Sequence, residues 1–424
     1  MLFIYSALRI GGIETFFVRM AKERSKLGLP TTILLFSEPE QSNEELLTEM
    51  KKYSSVLFPQ DLFAVPNFIS RRLPLISPVK QYSLLKVFEK IDQIHVFDGM
   101  HALIGDRFNK IVGKKLPITI GFYHYIKYLW GGTQVPYYEK LNRKFIFNYL
   151  PKQSLLFFSE GNRQLYSEHK KVNFNESQTF RLGVVEKKNI TISSELSNPL
   201  KICAVGRLVD FKTYNLYMLD VVRELNERGF LVEFDIYGDG PLKNEIQNKI
   251  KKFDLGSLVK IKGSFDYSLF DEVVAKYDFF IGSGTAVIQA ASLGIPSIVG
   301  VENVTQPKTY GYFSDVYQYE YNLKGLDLPL ISVKELIESY MKMDIKKRLD
   351  LKYSHLNSAE IFTNESCQHS MNSLKNIKMP ENHFKFNRWL YHLSRLISGI
   401  NMRFNKKHPR LTQFTNFRKL EEDN

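Results

Sequence analysis

Two cations five residues apart, Arg207 and Lys212, follow the apolar run Ile202-Cys-Ala-Val205 and a glycine at 206. Further along, a second run, Tyr277-Asp-Phe-Phe-Ile281, empties into Gly282-Ser-Gly-Thr285, with Gln289 beyond it. Free backbone N–H groups and the macrodipole at a helix start attract anions, each contact contributing roughly 0.3–1 kcal/mol, and a neighbouring Arg or Lys adds direct charge. A diphosphate suits the Gly206 corner. Two cations on a solvated loop is the competing reading of these residues taken alone.

The elements that must hold these residues alternate between strand and helix. Lys201-Ile-Cys-Ala-Val205, Leu231 to Tyr237, Val259 to Gly263 and Tyr277 to Ile281 read as strands. Helices follow the first and last, one carrying Tyr217, Leu219, Val221, Val222 and Leu225 on its apolar side, the other running from Thr285 to Leu293 and ending at Gly294 with Pro296 beyond. Gly238-Asp-Gly-Pro241 supplies a turn. The first half repeats this grammar. Leu2 to Tyr5, Thr31 to Phe36, Ser55 to Phe58, Ile94 to Phe97, Ile118 to Gly121 and Leu155 to Phe158 are candidate strands, and after Gly11-Gly12 a helix near Glu14 places Ile13, Phe16, Phe17, Met20 and Ala21 on one face up to Gly28. Two α/β, doubly wound, Rossmann-like domains are expected, with ligands at the carboxyl ends of the strands.

Gly11-Gly12-Ile13-Glu14, Val205-Gly-Arg-Leu208 with Lys212, Tyr237-Gly-Asp-Gly-Pro241, Gln289-Ala-Ala-Ser-Leu-Gly294-Ile-Pro296 and the weaker Arg181-Leu-Gly183-Val184 stand in one order along the chain. In that order and spacing the chain resembles the retaining GT-B glycosyltransferases of bacterial surface-polysaccharide biosynthesis, over about residues 1–377. The resemblance implies two Rossmann-like domains facing each other across a cleft: an acceptor-side domain at 1–186, a hinge at 187–199, a nucleotide-sugar domain at 200–353 and a closing helix at 354–378. It implies that Arg207 and Lys212 hold the donor diphosphate and neutralise the leaving nucleotide. Gly206 lets the backbone approach that diphosphate, Gly11 and Gly12 do so for donor phosphate and acceptor, and His124 meets the donor sugar, with a packed structural histidine as the alternative. The base is held near Lys262 and Gly263. The donor is a UDP-sugar before a GDP-sugar, with no metal and no other cofactor, and the acceptor is a glycan or a sugar on a polyprenyl diphosphate lipid.

One departure stands beside the matches. The family pattern has two glutamates separated by seven residues at the last cleft loop, and here those positions read Ile281 and Gln289. Gln can bond ribose hydroxyls without charge assistance, and Ser283, the Gly284 backbone and Thr285 are then the expected sugar contacts. Transfer with retention and no nucleophile implies front-face departure of the diphosphate and arrival of the acceptor hydroxyl, the protein positioning both. Loss of both acids leaves two rivals open, a catalytically silent scaffold in a glycan-assembly complex and a nucleotide-sugar epimerase.

The chain has 424 residues, 44 % of them apolar, enough for two cores at roughly 150 residues per domain. Cys203 and Cys367 suggest neither a metal site nor a disulfide framework, and the start lacks a basic leader segment, so a cytoplasmic location is expected. The net charge of +13 is partly local, since Lys375 to Asn424 holds eleven Lys or Arg against four acidic residues. In that tail (379–424), Phe386, Trp389, Leu390, Leu393, Leu396, Ile397 and Ile400 share a helical face flanked by Lys385, Arg388, Arg395, Arg403, Lys406 and Lys407. Residues 384–407 therefore read either as a basic amphipathic helix on the inner face of an anionic membrane or as a stripe packed on protein. No reader helix, zinc spacing or RNP-like strand supports nucleic-acid binding.

Overall fold

The computed structural model describes residues 1–9, 11–124, 126–132, 134–319, 321–322 and 324–412. Tyr125, next to His124, and the last part of the tail lie outside the described residues. The chain divides into two units, Met1–Leu182 with Cys367–Asn424, and Gly183–Ser366.

Unit 1 is built on a seven-stranded sheet of β1 (Leu2–Tyr5), β2 (Thr32–Leu35), β3 (Ser55–Leu57), β4 (Ile94–Val96), β5 (Ile118–Gly121), β6 (Leu155–Phe157) and β7 (Gln178–Thr179). Its order is β3-β2-β1-β4-β5-β6-β7, with every pairing parallel. Alternate residues of β1 feed opposite faces, as the period of two requires. Leu2 and Ile4 enter one core with Ile94 and Ile118, whereas Met1, Phe3 and Tyr5 enter another with Phe16, Phe17 and Met20. These last three lie on the helix Gly12–Lys26.

Unit 2 carries β8 (Leu200–Val205), β9 (Val232–Tyr237), β10 (Val259–Gly263), β11 (Phe279–Gly282) and β12 (Ser297–Val299), in the parallel order β10-β9-β8-β11-β12. Ile202, Phe279 and Ile281 pack on one face, while Cys203, Val205 and Phe280 pack on the other. Both sheets are therefore covered on both sides, which is why their strands read as nearly unbroken apolar runs. In each, strand order reverses beside the first strand, between β1 and β4 and between β8 and β11, which opens a crevice at the carboxyl ends. The strands β7 and β12 were not expected from sequence: each is two or three residues long, and β12 follows directly on Pro296.

The unit boundaries differ from those expected from sequence. The segment 187–199, expected as a hinge, is fastened to unit 2. Lys188 pairs with Asp271 at 2.7 Å, the Ser193 carbonyl accepts from Lys352 at 2.8 Å, and the Ser197 N–H donates to Asp278 at 3.1 Å. The expected closing helix is two helices, Ile345–Glu360 and Asn364–Ser373, and the second belongs to both units.

The tail forms the helix Arg388–Phe404, capped by Asn387, whose side chain accepts the Leu390 N–H. It docks on unit 1 through one side. Tyr391 is fully buried, its hydroxyl donates to Asn142 Oδ1 at 2.9 Å, Ser394 Oγ accepts the Tyr138 N–H at 3.2 Å, and His392 Nε2 accepts the Leu75 N–H at 3.3 Å. Phe384 and Phe386 pack beside the same core. Replacement Tyr391→Ala removes a buried ring and is expected to cost unit 1 on the order of 3–5 kcal/mol. Both tryptophans, Trp130 and Trp389, belong to unit 1, so their fluorescence in a urea titration should register the shifted midpoint; an unchanged midpoint would show the tail to be dispensable for that core.

Candidate functional site

The Gly206 corner in unit 2 is built by two interlocking loops. Beyond β8, the Gly206 N–H donates to the Tyr237 carbonyl at 2.9 Å, and the Leu208 N–H to that of Asp239 at 3.0 Å. Gly238 has φ +145, and a Cβ there would lie 1.9 Å from the Gly206 carbonyl oxygen; one at Gly240 would lie 2.4 Å from that of Leu208. The Gly-Asp-Gly motif is thus a requirement of backbone packing. It fixes the loop bearing the two cations.

Lys212 folds back so that its Nζ would lie 2.9 Å from a Cβ at Gly206, while Arg207 projects into solvent. Burial depresses the Lys212 pKa, Glu302 opposes that, and Arg207 adds to it, which places the two cations within electrostatic reach of each other. The next loop braces this corner: the Thr213 hydroxyl donates to the Val304 carbonyl at 2.6 Å and the Asn303 N–H to that of Phe211 at 2.9 Å.

At the end of β11 the picture is more closed than the residue types implied. Ser283 is buried, and its hydroxyl acts on Tyr214, whose pKa is pushed up to about 12 chiefly by burial. Gly284 adopts φ +66, and its N–H is taken by Asn322 Oδ1 at 2.8 Å. Thr285 is the exposed member, first in the helix Thr285–Ala291. Gln289 is half-buried, and its amide donates to Asp271 Oδ1 at 3.0 Å. Asp271 in turn meets Lys188 at 2.7 Å. Sequence reasoning missed Asp271 and Asn322, because tertiary contact alone brings them here. Gly263, with φ +75, closes β10 and accepts the Gly238 N–H at 2.9 Å; the neighbouring Lys262 is engaged with Asp235 at 3.4 Å.

The other expected residues lie in unit 1. Gly11 is extended at φ −178, and a Cβ there would sit 2.5 Å from Glu14 Oε2, the carboxylate that accepts the Tyr5 hydroxyl through Oε1 at 2.9 Å. Gly12 opens into free space at the helix start. His124 is exposed beyond β5, edge-on to Phe97 at 5.6 Å, with its pKa lowered by burial first and by Lys127 second, so it is a neutral imidazole at pH 7. It lines a cavity of about 400 Å³ with Ser6, Asp98 and Lys127 at the carboxyl ends of β1 and β4, and neither glycine lines that cavity. Among the described residues no His, Cys, Asp and Glu cluster has the makings of a metal site.

Two parallel, doubly wound sheets with a C-terminal return into the first unit define the GT-B class. No family model matches the chain, and no curated protein matches it in sequence. Solved structures match it over most of its length. HepE of Anabaena, solved with UDP, is 14 % identical with a TM-score of 0.56, covering 88 % of this chain and 98 % of its own. A glycosyltransferase from Rickettsia africae is 15 % identical at 0.57, covering 88 % and 97 %. A point mutant of TarM from S. aureus, solved with fondaparinux, alpha-GlcNAc-glycerol and UDP, is 12 % identical at 0.51, covering 89 % and 100 %. At such identities the likeness establishes the fold, which is that of the GT-B glycosyltransferases.

The interlock yields a contrast between two glycines. Gly238→Ala must displace backbone from a positive-φ position and is expected to cost on the order of 2 kcal/mol or more. Gly12→Ala, in open space on a helix, should be neutral or stabilising by about 0.5 kcal/mol. Thermal unfolding of the two variants beside the parent checks this, and equal melting temperatures for both would contradict the packing account.

Proposed function

We propose that this chain is a glycosyltransferase that takes a hexose from a nucleotide diphosphate sugar, UDP before GDP, and transfers it with retention to a glycan or polyprenyl-diphosphate-linked acceptor in bacterial surface-polysaccharide assembly. The observation that carries the reading is the Gly206 corner, where Lys212 lies over a side-chain-free backbone at the crevice between β8 and β11 and Arg207 stands open beside it. The presence of UDP in HepE crystals on the same fold supports the choice of base. In such a transfer, the two cations stabilise charge growing on the leaving diphosphate and the backbone positions it, with no protein nucleophile required.

One observation favours the rival reading of a silent scaffold. The Gln289 amide is committed to Asp271 and the Gly284 N–H to Asn322, so neither is directed at a sugar in this arrangement. Turnover decides between the two. UDP at a hundredfold excess over its Kd should stabilise the fold by about 2.7 kcal/mol, which a melting curve registers, with GDP weaker. Arg207→Ala and Lys212→Ala should each reduce hexosyl transfer or UDP-sugar hydrolysis by roughly 10²-fold or more, with small effects on folding. Full activity in either variant would refute the catalytic assignment; binding of UDP with no turnover would favour the scaffold.

The reading extends to an anionic membrane surface. The docked helix turns Trp389, Leu393, Leu396, Ile397, Ile400 and Phe404 to solvent, with Trp389 73 % and Phe404 86 % exposed, opposite the buried Tyr391 and Ser398. Lys385, Arg403, Lys406 and Lys407 are exposed around this stripe. A wide apolar face with basic flanks suits an interfacial helix, at about 1 kcal/mol per basic side chain near an anionic surface. No described helix is long and apolar enough to span a bilayer. The double variant Leu393→Ser with Ile397→Ser spares the docked face, so it should fold normally and lose several-fold in flotation with anionic liposomes; undiminished flotation would reject the membrane role.

A further inference from the structure

The cavity at the carboxyl ends of β1 and β4 lies within unit 1 and holds a concentration of positive charge. Of about 400 Å³, it is lined by Lys127 from the loop after β5 and by Arg395 and Arg410 from the C-terminal segment, with Phe97, Trp130 and Tyr138 among its aromatic walls. Its size falls within the usual range for small-molecule sites.

Among the described residues that line the cavity, the two carboxylates, Glu139 and Asp98, also meet other groups. Glu139 pairs with Arg143 Nε at 3.0 Å and accepts from Asn142 Nδ2 at 3.2 Å. Asp98 accepts the His101 N–H at 2.9 Å as the cap of the helix Gly99–Val112, and lies 3.3 Å from His101 Nδ1. Burial alone would raise the Asp98 pKa, but His101, Lys127 and Arg395 outweigh it and hold the group at about 2, so it is ionised. Lys127 and Arg395, by contrast, donate to neutral groups. Lys127 Nζ donates to the Phe97 carbonyl at 3.1 Å and lies 3.5 Å from the centre of its ring, and Arg395 donates to the Arg72 carbonyl at 3.3 Å. Arg410, on the same wall, donates to the Tyr138 hydroxyl at 2.9 Å.

Two further observations point the same way. Burial lowers the Lys127 pKa to about 8, with Arg410 adding to the shift and Asp98 and Glu139 opposing it, so a further anion beside this buried ammonium would stabilise its charged form. The Tyr128 hydroxyl, 2 % exposed and lining the same cavity, makes no well-aligned hydrogen bond, although the Gly99 backbone N–H acts on it. A buried polar group of this kind is ordinarily satisfied by a partner. The amino-terminal end of Gly99–Val112 also opens here, adding the positive end of a helix dipole.

We propose that this cavity binds the phosphate or diphosphate group of a sugar-bearing ligand, with Lys127, Arg395 and Arg410 converging on the anion and the C-terminal segment completing the site. The identity of that ligand as the acceptor rests on the glycosyltransferase reading; its anionic chemistry does not. A guanidinium presents a planar fork of donors to phosphate oxygens, so two of them beside an ammonium can neutralise a diphosphate that a single lysine could not. The aromatic walls leave room and apolar surface for the ring attached to it.

The test is calorimetric titration of the full chain with hexose 1-phosphate, with geranyl diphosphate as a soluble prenyl diphosphate, and with the uncharged hexose. Binding of either phosphate compound, weakened at least tenfold by both Arg395→Gln and Arg410→Gln, with no binding of the uncharged hexose, is the expected result. Preference for geranyl diphosphate assigns the anion to a lipid carrier, and preference for hexose 1-phosphate to a soluble sugar phosphate. The UDP-induced rise in melting temperature, which belongs to unit 2, should be unchanged in both variants and doubles as the control for folding. Were that rise absent from the parent while arginine-dependent phosphate binding persisted, the donor reading would fail and this one would stand. Phosphate affinity unaffected in folded Arg395→Gln and Arg410→Gln, no binding of either phosphate compound, or equal affinity for the uncharged hexose, would overturn it.

Discussion

In a doubly wound parallel sheet the connections from two neighbouring strands leave toward opposite faces at the point where strand order reverses, and a crevice opens there at the carboxyl ends. That constraint acts twice here, at β1 beside β4 and at β8 beside β11, and the chemistry of each unit gathers at its reversal. Because both faces of each sheet are buried, the strand ends are where polar side chains can reach a ligand without leaving a hole in a core. Lys212 and Arg207 follow β8 at one reversal, and Asp98 follows β4 at the other, where Lys127 joins it from the loop after β5. Neither arrangement would survive loss of the packing that fixes the loops, which at β8 comes down to one backbone carbonyl lying where Gly238 carries no side chain.

Much of the fold was legible because burial on both faces leaves a strong mark: Ile202 to Val205 and Phe279 to Ile281 are apolar at every position and lie in the centre of their sheet. Ser297–Val299 was not, since three residues after a proline carry too little pattern to separate a strand from a turn. The Gly238 and Gly240 motif was visible, but its reason was not, because the atoms it avoids belong to a different loop. The amphipathic pattern at 386–400 was also visible, and the helix carries it from Trp389 onward, whereas Phe386 precedes the helix and packs on the core. It could not say which side docks: Tyr391, His392 and Ser398, the buried residues of the helix, are fewer and more polar than the stripe left in solvent.

The candidate site shows the same division. Arg207, Lys212 and Gly206 were readable from local chemistry, since a cation beside a glycine announces itself in sequence. Arg395 and Arg410 were readable only as part of a basic tail, and nothing in their spacing places them on the wall of a cavity that β1 and β4 open far upstream. Charge counted along the chain loses this information, because the helix that presents Arg395 to the cavity presents Leu393 and Ile397, its neighbours on either side of the pattern, to solvent. One helix thereby serves two surfaces.

The glutamine at 289 follows from its surroundings. Its amide nitrogen lies 3.0 Å from an Asp271 oxygen, and Asp271 is anchored at 2.7 Å to Lys188 from the strap 187–199. A glutamate in that place would set two carboxylates at hydrogen-bond distance, which forces one of them to take up a proton or the pair to separate. With Asp271 paired to Lys188, the neutral amide is the side chain that can both reach the carboxylate and donate to it. The negative charge of this corner therefore resides one element earlier, on the short helix Phe270–Val274. Gln289 donates to that carboxylate from one side while Lys188 meets it from the other, so the position is filled by a side chain matched to its neighbour.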